Sequence, residues 1–291
     1  MRVTVRVPAT SANLGPGFDV FGLALELCNE VTVDTSAPAG VSWEGEGARE
    51  LPTDGSDVVS VTIAGVAARM GLEPPPVSLH GVNRIPLARG LGSSSAAAVA
   101  GVVAASVLLD LGIHREPAGV FALAAEIEGH PDNAAPATFG GFTIALPSGE
   151  VHRLDPHPDL RPVAIVPDVE LPTTAARAAL PETVSMADAV ANAAHAALMV
   201  QALTVDPSLL RTALRDRLHQ DVRLALVPDV RDVFDELRRR FVPVCVSGAG
   251  PTVLAFALED TPDLTHELLG VGDGWRIWPL AVRGRGFSID A

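Results

Sequence analysis

Apolar and polar residues alternate with a period of two from Arg2 to Val7, which predicts a strand. Leu25–Val33 repeats the pattern after a loop rich in glycine and proline, and Val41–Trp43 is a shorter third candidate. Pro52–Ser56 has turn chemistry, and the period then lengthens to that of a helix over Asp57–Met70. Val77–His80 predicts a short strand and Ser93–Leu111 a long helix stopped by Gly112. A further helix over Pro117–Glu128 has proline at its start and Gly129 at its stop. Phe142–Ala145 and Val163–Val166 read as strands. Thr173–Arg240 is largely helical, with an alanine-rich helix around Met186–Leu203. Val244–Val246 and Thr252–Ala257 are strands flanking the turn SGAGPT, followed by a helix over Thr261–Leu269 and a strand over Arg276–Leu280. Strands and helices mix without strict alternation, which favours α+β layers over a doubly wound parallel sheet. The polar, proline-rich stretch Pro147–Pro162 divides the chain into units 1–155 and 156–291, with the last strand free to rejoin the first unit.

A length of 291 residues suits two domains in close contact. Aromatic residues are only 4% and tyrosine is absent, so the core must rest on Ala, Val and Leu. A formal net charge of -14 argues against nucleic acid and anionic membrane surfaces as partners. The best membrane candidate, Ala96–Leu109, is shorter than the roughly 20 residues needed to span a bilayer. The N-terminus alternates like a strand and lacks the apolar run of a signal peptide, so the chain reads as soluble and cytoplasmic. Cys28 and Cys245 lie far apart in apolar runs and read as free thiols. All 21 basic residues are arginine, which excludes Schiff-base chemistry and the lysine-dependent phosphate loop.

Six stretches could carry chemistry. In PLARGLGSSSAAAVAG, glycines 90 and 92 precede a helix start whose free N–H groups and dipole suit a phosphate. A serine hydroxyl there can cap the helix or ligate Mg²⁺. PATSANLGPGFDVFG holds Asn13 and Asp19 in a loop directly after the first strand. In EIEGHPDNAAPATFGG, Glu126 and Glu128 end a helix, and His130, Asp132 and Asn133 follow in a tight turn. PTTAARAALP carries Thr173 and Arg177, and HQDVRLALVP carries Arg223; arginine forks match carboxylates. SGAGPT is a second glycine turn, through Gly248 and Gly250.

Taken in order, these stretches resemble the GHMP kinase superfamily across nearly the whole chain, and within it the homoserine kinase branch. SANLGPGFDVFGLAL, EGHPDNAAPATFGG and the spacing of Thr173, Arg177, Leu180 and Pro181 carry the narrower likeness. The resemblance implies an N-terminal domain like the second domain of ribosomal protein S5 and a ferredoxin-like C-terminal domain, with the active site between them. Members are often homodimers.

It further implies ATP and L-homoserine as substrates and Mg²⁺ as cofactor. Pro86, Arg89, Gly90, Leu91, Gly92, Ser93, Ser94 and Ser95 would line the phosphates, with Gly248 and Gly250 beside them and Asp57 on the nucleotide side. Asp57 stands where asparagine is frequent, which leaves base preference open. Ser94 and Glu126 would hold the metal, with Glu128 as the alternative carboxylate. Asn13, Asp19, His130, Asn133, Thr173, Arg177 and Arg223 would surround the amino acid. In this assignment the arginines bind its carboxylate, Asp19 offsets its ammonium, and Asn13 and Asn133 orient its hydroxyl. No strong base is implied, since phosphoryl transfer rests mainly on positioning and charge stabilisation. Asp132 is left to orient His130 or a neighbouring loop. A relative acting on mevalonate would also use the arginines but needs no partner for an ammonium.

Overall fold

The computed structural model describes residues 1–290, and two sheets organise them. The first contains β1 (Arg2–Ala12), β2 (Phe21–Asp34), β3 (Gly40–Gly45), β4 (Ser78–Asn83), β5 (Phe142–Ala145) and β6 (Val151–Leu154), closed by β11 (Ser288–Asp290). The second contains β7 (Pro162–Val166), β8 (Val244–Val246), β9 (Val253–Phe256) and β10 (Arg276–Pro279).

The first sheet runs β11-β1-β2-β4-β3, and β2 is long enough to serve β5 at one end and β4 at the other. Only β3 and β4 run parallel. Val3, Val5 and Val7 alternate with more exposed neighbours, as a strand with one buried face requires. The β1–β2 register shifts between Pro8 and Ala9, where proline lacks a ladder N–H. Beyond that bulge β1 is buried on both sides, polar Thr10 and Ser11 included.

Four helices form the layer on this sheet, α1 (Val58–Arg69), α2 (Ser93–Leu108), α3 (Pro117–Glu128) and α4 (Pro131–Phe139): α2 and α4 lie against the strands, α1 packs on α2, and α3 packs on α2 and α4. Helix α2 is apolar on every side and is accordingly buried between the sheet and its neighbours. Helix α3 begins with Pro117 and stops at the left-handed Gly129, as its sequence signals dictate. Helix α4 corrects the reading of HPDN as a tight turn. Pro131 occupies its first turn, where no N–H is needed, and His130 is its N-cap residue.

The second sheet runs β10-β7-β9-β8, antiparallel throughout. Helices α5 (Thr173–Ala178), α6 (Met186–Thr204), α7 (Leu210–Ala213), α8 (Gln220–Leu224) and α9 (Pro228–Arg239) lie between β7 and β8, and α10 (His266–Leu269) precedes β10. With α9 and α10 as its two helices, this is the split β-α-β-β-α-β order of a ferredoxin-like layer. Val230, Val233, Phe234 and Leu237 form the apolar stripe by which α9 joins Val163, Ile165 and Val253 in one core. On the opposite face Ala164, Val166, Leu254 and Phe256 join Met199 and Leu203 of α6 in the larger core, which also contains the first sheet. A sheet covered on both faces explains why β7 and β9 read as unbroken apolar runs.

The strand over Arg276–Pro279 stays in the second sheet. The one that returns to the first is β11, paired with Thr4–Arg6. Ahead of it, Glu26 donates its N–H to Ala281 O at 2.9 Å and Arg283 donates to Ala24 O at 2.9 Å. Both cysteines are free; Cys245 is buried, which holds its thiol well above the usual range, and Cys28 is half-buried. Among the described residues no helix is long and apolar enough to cross a membrane.

Candidate active site

Three turns meet where β1 ends. Thr10 donates its N–H to Leu91 O at 3.0 Å, and Gly248 donates to Ala12 O at 3.0 Å. Ser247 Oγ donates to Gly90 O at 2.7 Å and lies 2.8 Å from Ser11 Oγ. Thr10 Oγ1 donates to Asn133 Oδ1 at 2.7 Å. The approach is so close that two glycines are obligatory. At Gly90 (φ +75°) a Cβ would stand 2.3 Å from Ser247 O, and at Gly92 (φ +72°) 1.9 Å from Thr10 Oγ1.

Gly92 is the N-cap of α2 and supplies no side-chain cap, and none of the serines caps the helix. The first N–H groups of α2 therefore face the cleft with no side-chain partner. The hydroxyls go elsewhere: Ser94 Oγ donates to Glu128 Oε1 at 2.6 Å and Ser95 Oγ to Glu128 Oε2 at 2.5 Å. Glu126, expected as the acidic partner, lies on the outer surface and pairs with Arg69 of α1 at 2.6 Å. Residues two apart on a helix point some 200° apart, so only one of these glutamates can face the serines. The guanidinium of Arg89 also turns away from the expected phosphates. It donates to Pro167 O at 3.1 Å and Leu87 O at 3.2 Å, and lies 3.1 Å from Glu170, tying the glycine loop to the second half of the chain. Leu91 is fully buried and Gly250 packs behind the loop against Val246 and Leu171, so neither offers a side chain to a ligand.

Asn13, Asp19, His130, Asn133, Thr173, Arg177 and Arg223 line one cavity of about 650 Å³, shared with Pro86, the glycine-serine loop, Glu128 and Gly248. Arg177, on α5, meets Asp19 through two hydrogen bonds, Nη2–Oδ1 at 2.9 Å and Nη1–Oδ2 at 3.1 Å. Arg223, on α8, is buried and contacts no carboxylate. Its Nη1 donates to Gly248 O at 2.9 Å and its Nε has no partner. Burial lowers its pKa, with Asp19 opposing. Asn13 is a brace: its Nδ2 donates to Gly248 O at 2.7 Å and its Oδ1 accepts from Asp19 N at 2.9 Å. Asn13, Leu14, Asp19 and Ala88 all have positive φ, so four of the six such non-glycine residues among those described gather at this site.

Asp132 is buried at the floor of the cavity with Oδ1 unpartnered. Burial pushes its carboxyl up to about 6, opposed by His130 and reinforced by Asp19. His130 Nδ1 lies 3.6 Å from Asp132 Oδ1, beyond hydrogen-bond reach. Asn133 already accepts from Thr10, which leaves its amide hydrogens for a ligand.

A second cavity of about 730 Å³ adjoins the first through Ala88, Ser93 and Ser94. Its walls include Trp43, Leu51, Val58 and Ala97, apolar surfaces of the kind a planar ring requires. Asp57 lies on this cavity, as the nucleotide-side reading expects. It caps α1 by accepting from Ser60 N at 3.0 Å through Oδ1, while its buried Oδ2 has no partner.

Comparison with known proteins decides the family. Residues 57–141 match the GHMP kinases N terminal domain and residues 198–267 the GHMP kinases C terminal domain. A homoserine kinase of Clavibacter michiganensis is 45% identical, covering 99% of this chain and 94% of its own. One of Streptomyces avermitilis is 43% identical, covering 99% and 95%. The chain belongs to the GHMP kinases, in the homoserine kinase branch. The crystal structure of homoserine kinase from Cytophaga hutchinsonii superposes on this GHMP kinase with a TM-score of 0.82 at 28% identity, covering 99% of this chain and 97% of the other. A mevalonate kinase structure shares the fold, with a TM-score of 0.70 at 12% identity over 97% and 99% of the two chains.

Several residues of this homoserine kinase relative were not singled out by motif reading, even where they lie within a quoted motif. Thr10 and Ser247 act through hydrogen bonds that only the tertiary fold creates. Trp43 reaches the second cavity from an edge strand far from every motif. His219 had a signal, since it precedes Arg223 by four residues, the spacing of neighbours on one helix face.

Proposed function

We infer that the protein transfers the γ-phosphoryl group of ATP to the side-chain hydroxyl of L-homoserine, giving O-phospho-L-homoserine for threonine synthesis. One observation carries this reading. The Asp19–Arg177 pair and the unpaired Arg223 face, across a single cleft, an uncapped helix start with Ser94 and Glu128 beside it. An amino acid brings a carboxylate for the arginines and an ammonium for Asp19. A substrate with a carboxylate alone, such as mevalonate, offers Asp19 no ammonium.

The N–H groups at the start of α2 and of the glycine loop hold the ATP phosphates, and the adjoining apolar cavity takes the base. Ser94 Oγ and a Glu128 oxygen are two hard donors 2.6 Å apart beside the loop, a set that fits Mg²⁺, which keeps few protein ligands when phosphate is present. When bound there, Mg²⁺ supplies positive charge to the phosphates in place of the missing lysine. The amide of Asn133 donates to the acceptor hydroxyl and fixes its direction toward the phosphorus. Neither Asn13 nor Asn133 can act as a strong base, so the hydroxyl proton leaves to a phosphate oxygen or to water.

A coupled ADP-release assay with homoserine, threonine and mevalonate as acceptors tests the reading, with product mass read in parallel. Homoserine should gain one phosphoryl group; turnover on mevalonate and none on homoserine would refute it.

A further inference from the structure

The guanidinium of Arg223 is aimed by one residue outside the expected site. His219 precedes α8 and is buried, and its Nδ1 lies 3.1 Å from Arg223 Nη1. Its Nε2 lies 2.8 Å from the carbonyl oxygen of Gly15, in the loop that carries Asn13 and Asp19. A carbonyl can only accept and a guanidinium can only donate. Both contacts are therefore satisfied by one form of the ring alone: neutral, with the hydrogen on Nε2. Phe18 stacks on the imidazole at a centroid distance of 5.2 Å and lies under the Arg223 guanidinium at 5.3 Å. Asp216 fixes the backbone beneath, accepting from His219 N and Gln220 N at 2.8 Å each.

We propose that His219 is a positioning residue, whose neutral ring holds the Arg223 fork toward the substrate carboxylate and locks that fork to the Gly15 loop carrying the ammonium-binding Asp19. The proposal rests on the homoserine-kinase reading. Arg223 alone has long, freely rotating bonds and no carboxylate to fix it. The imidazole supplies an acceptor without a negative charge, so it orients the guanidinium and leaves its charge for the ligand. A carboxylate at position 219 would neutralise the cation and compete with the substrate. The charged groups around the ring are Asp216, Arg223 and Asp19. Burial and the arginine outweigh the two carboxylates and keep the imidazole neutral at assay pH, its pKa held down to about 4.

The test compares His219→Phe and His219→Gln with the wild type. Phenylalanine keeps the stack on Phe18 and loses both hydrogen bonds, whereas glutamine offers an acceptor and a donor in one group. His219→Phe should raise KM for homoserine about 10- to 100-fold, the range for one lost hydrogen bond to a charged group, with KM for ATP within about 3-fold. Turnover of 3-aminopropan-1-ol, which lacks the carboxylate, should fall far less in the phenylalanine variant than turnover of homoserine does. His219→Gln should recover most of the homoserine affinity. Equal losses for homoserine, the decarboxylated analogue and ATP would mark a merely structural role and overturn the proposal, as would an unchanged phenylalanine variant. Nitrogen-15 NMR of the wild type gives an answer that does not depend on the variants folding. It should show a neutral Nε2–H tautomer across pH 5–8, and a charged imidazolium at pH 7 would overturn it. The wild type's own turnover checks the activity separately. A wild type inactive on homoserine removes the functional reading and this role together; an active one with an indifferent position 219 removes only the role.

Discussion

Arg177 and Asp19 face each other in a two-point ion pair, 2.9 and 3.1 Å between paired atoms, although the sequence reading sends them to oppositely charged groups of the amino-acid substrate. Each holds the place of the other's ligand group. A zwitterion entering the cleft can exchange one pair for two without leaving a charge unmatched. The pair is more than a third exposed, so its worth to the ligand-free fold is about 0–1 kcal/mol. Arg177→Ala should therefore melt close to the wild type. It should nevertheless raise KM for homoserine by far more than KM for ATP. Equal effects on both substrates would exclude a carboxylate-binding role.

Glu128 and Glu126 should separate cleanly. Glu128→Gln removes the carboxylate shared by Ser94 and Ser95 and should lower kcat by roughly 100-fold or more while raising the Mg²⁺ requirement. Ser94→Ala should move the same two quantities in the same direction. Glu126→Gln breaks only an exposed pair with Arg69 and should leave kcat within about 2-fold, at a stability change under about 1 kcal/mol. Magnesium titrations of the three variants check this, and a Glu126 variant as impaired as the Glu128 one would reverse the assignment.

Asp132 gives a pH dependence of defined sign. Its folded pKa, about 6, stands above its ordinary 3.8, so the folded protein favours the protonated form. The stabilising contribution of that proton is complete below the ordinary value and is lost as pH rises through about 6. At pH 7 the wild type carries a buried carboxylate with Oδ1 unpartnered. Asp132→Asn should thus be more stable than the wild type at pH 7, by about 1–3 kcal/mol, with most of the advantage gone at pH 4. Urea unfolding at both pH values measures it; an equal difference at both would show that the carboxylate is not held neutral-prone by burial.

Gly92→Ala should fail for a steric reason. A Cβ there would stand 1.9 Å from Thr10 Oγ1 at a φ of +72°. The backbone must shift, moving the start of α2 away from the end of β1. A stability loss of about 1–3 kcal/mol is expected, with a larger loss of kcat/KM because the phosphate cradle moves. Gly149→Ala has similar positive φ but open space around it, and serves as the control for conformational strain alone. Comparable activity in both variants would contradict the cradle geometry.

Where local chemistry decides, the sequence was legible. Helix α3 runs from Pro117 to Glu128 as its proline and glycine signals require, and β5 and β8 fall on their apolar runs. Helix α4 was hidden because Pro131, Pro136 and Gly140 read as turn punctuation, yet proline is harmless in a first turn. The strands β6 and β11 are short and partly exposed, with no run of apolar residues to mark them. At the site, residue types pointed to the right loops, but partner choice did not follow from them. Which glutamate faces Ser94 depends on the rotation of α3 against α1 and α2. Whether Arg89 reaches a phosphate depends on where residues 167–170 pass. Those are tertiary facts, settled by packing between segments distant in sequence.

The return of β11 to β1 has a consequence for biosynthesis. The outer edge of β1 at Thr4–Arg6 is covered by residues 288–290. Until residues 288–290, made long after β1, dock on that edge, its backbone groups wait without their partners. An exposed edge strand is a template for association with other chains. The alternating Arg2, Thr4 and Arg6 place charge and polarity along that strand during the wait, a composition that discourages such association.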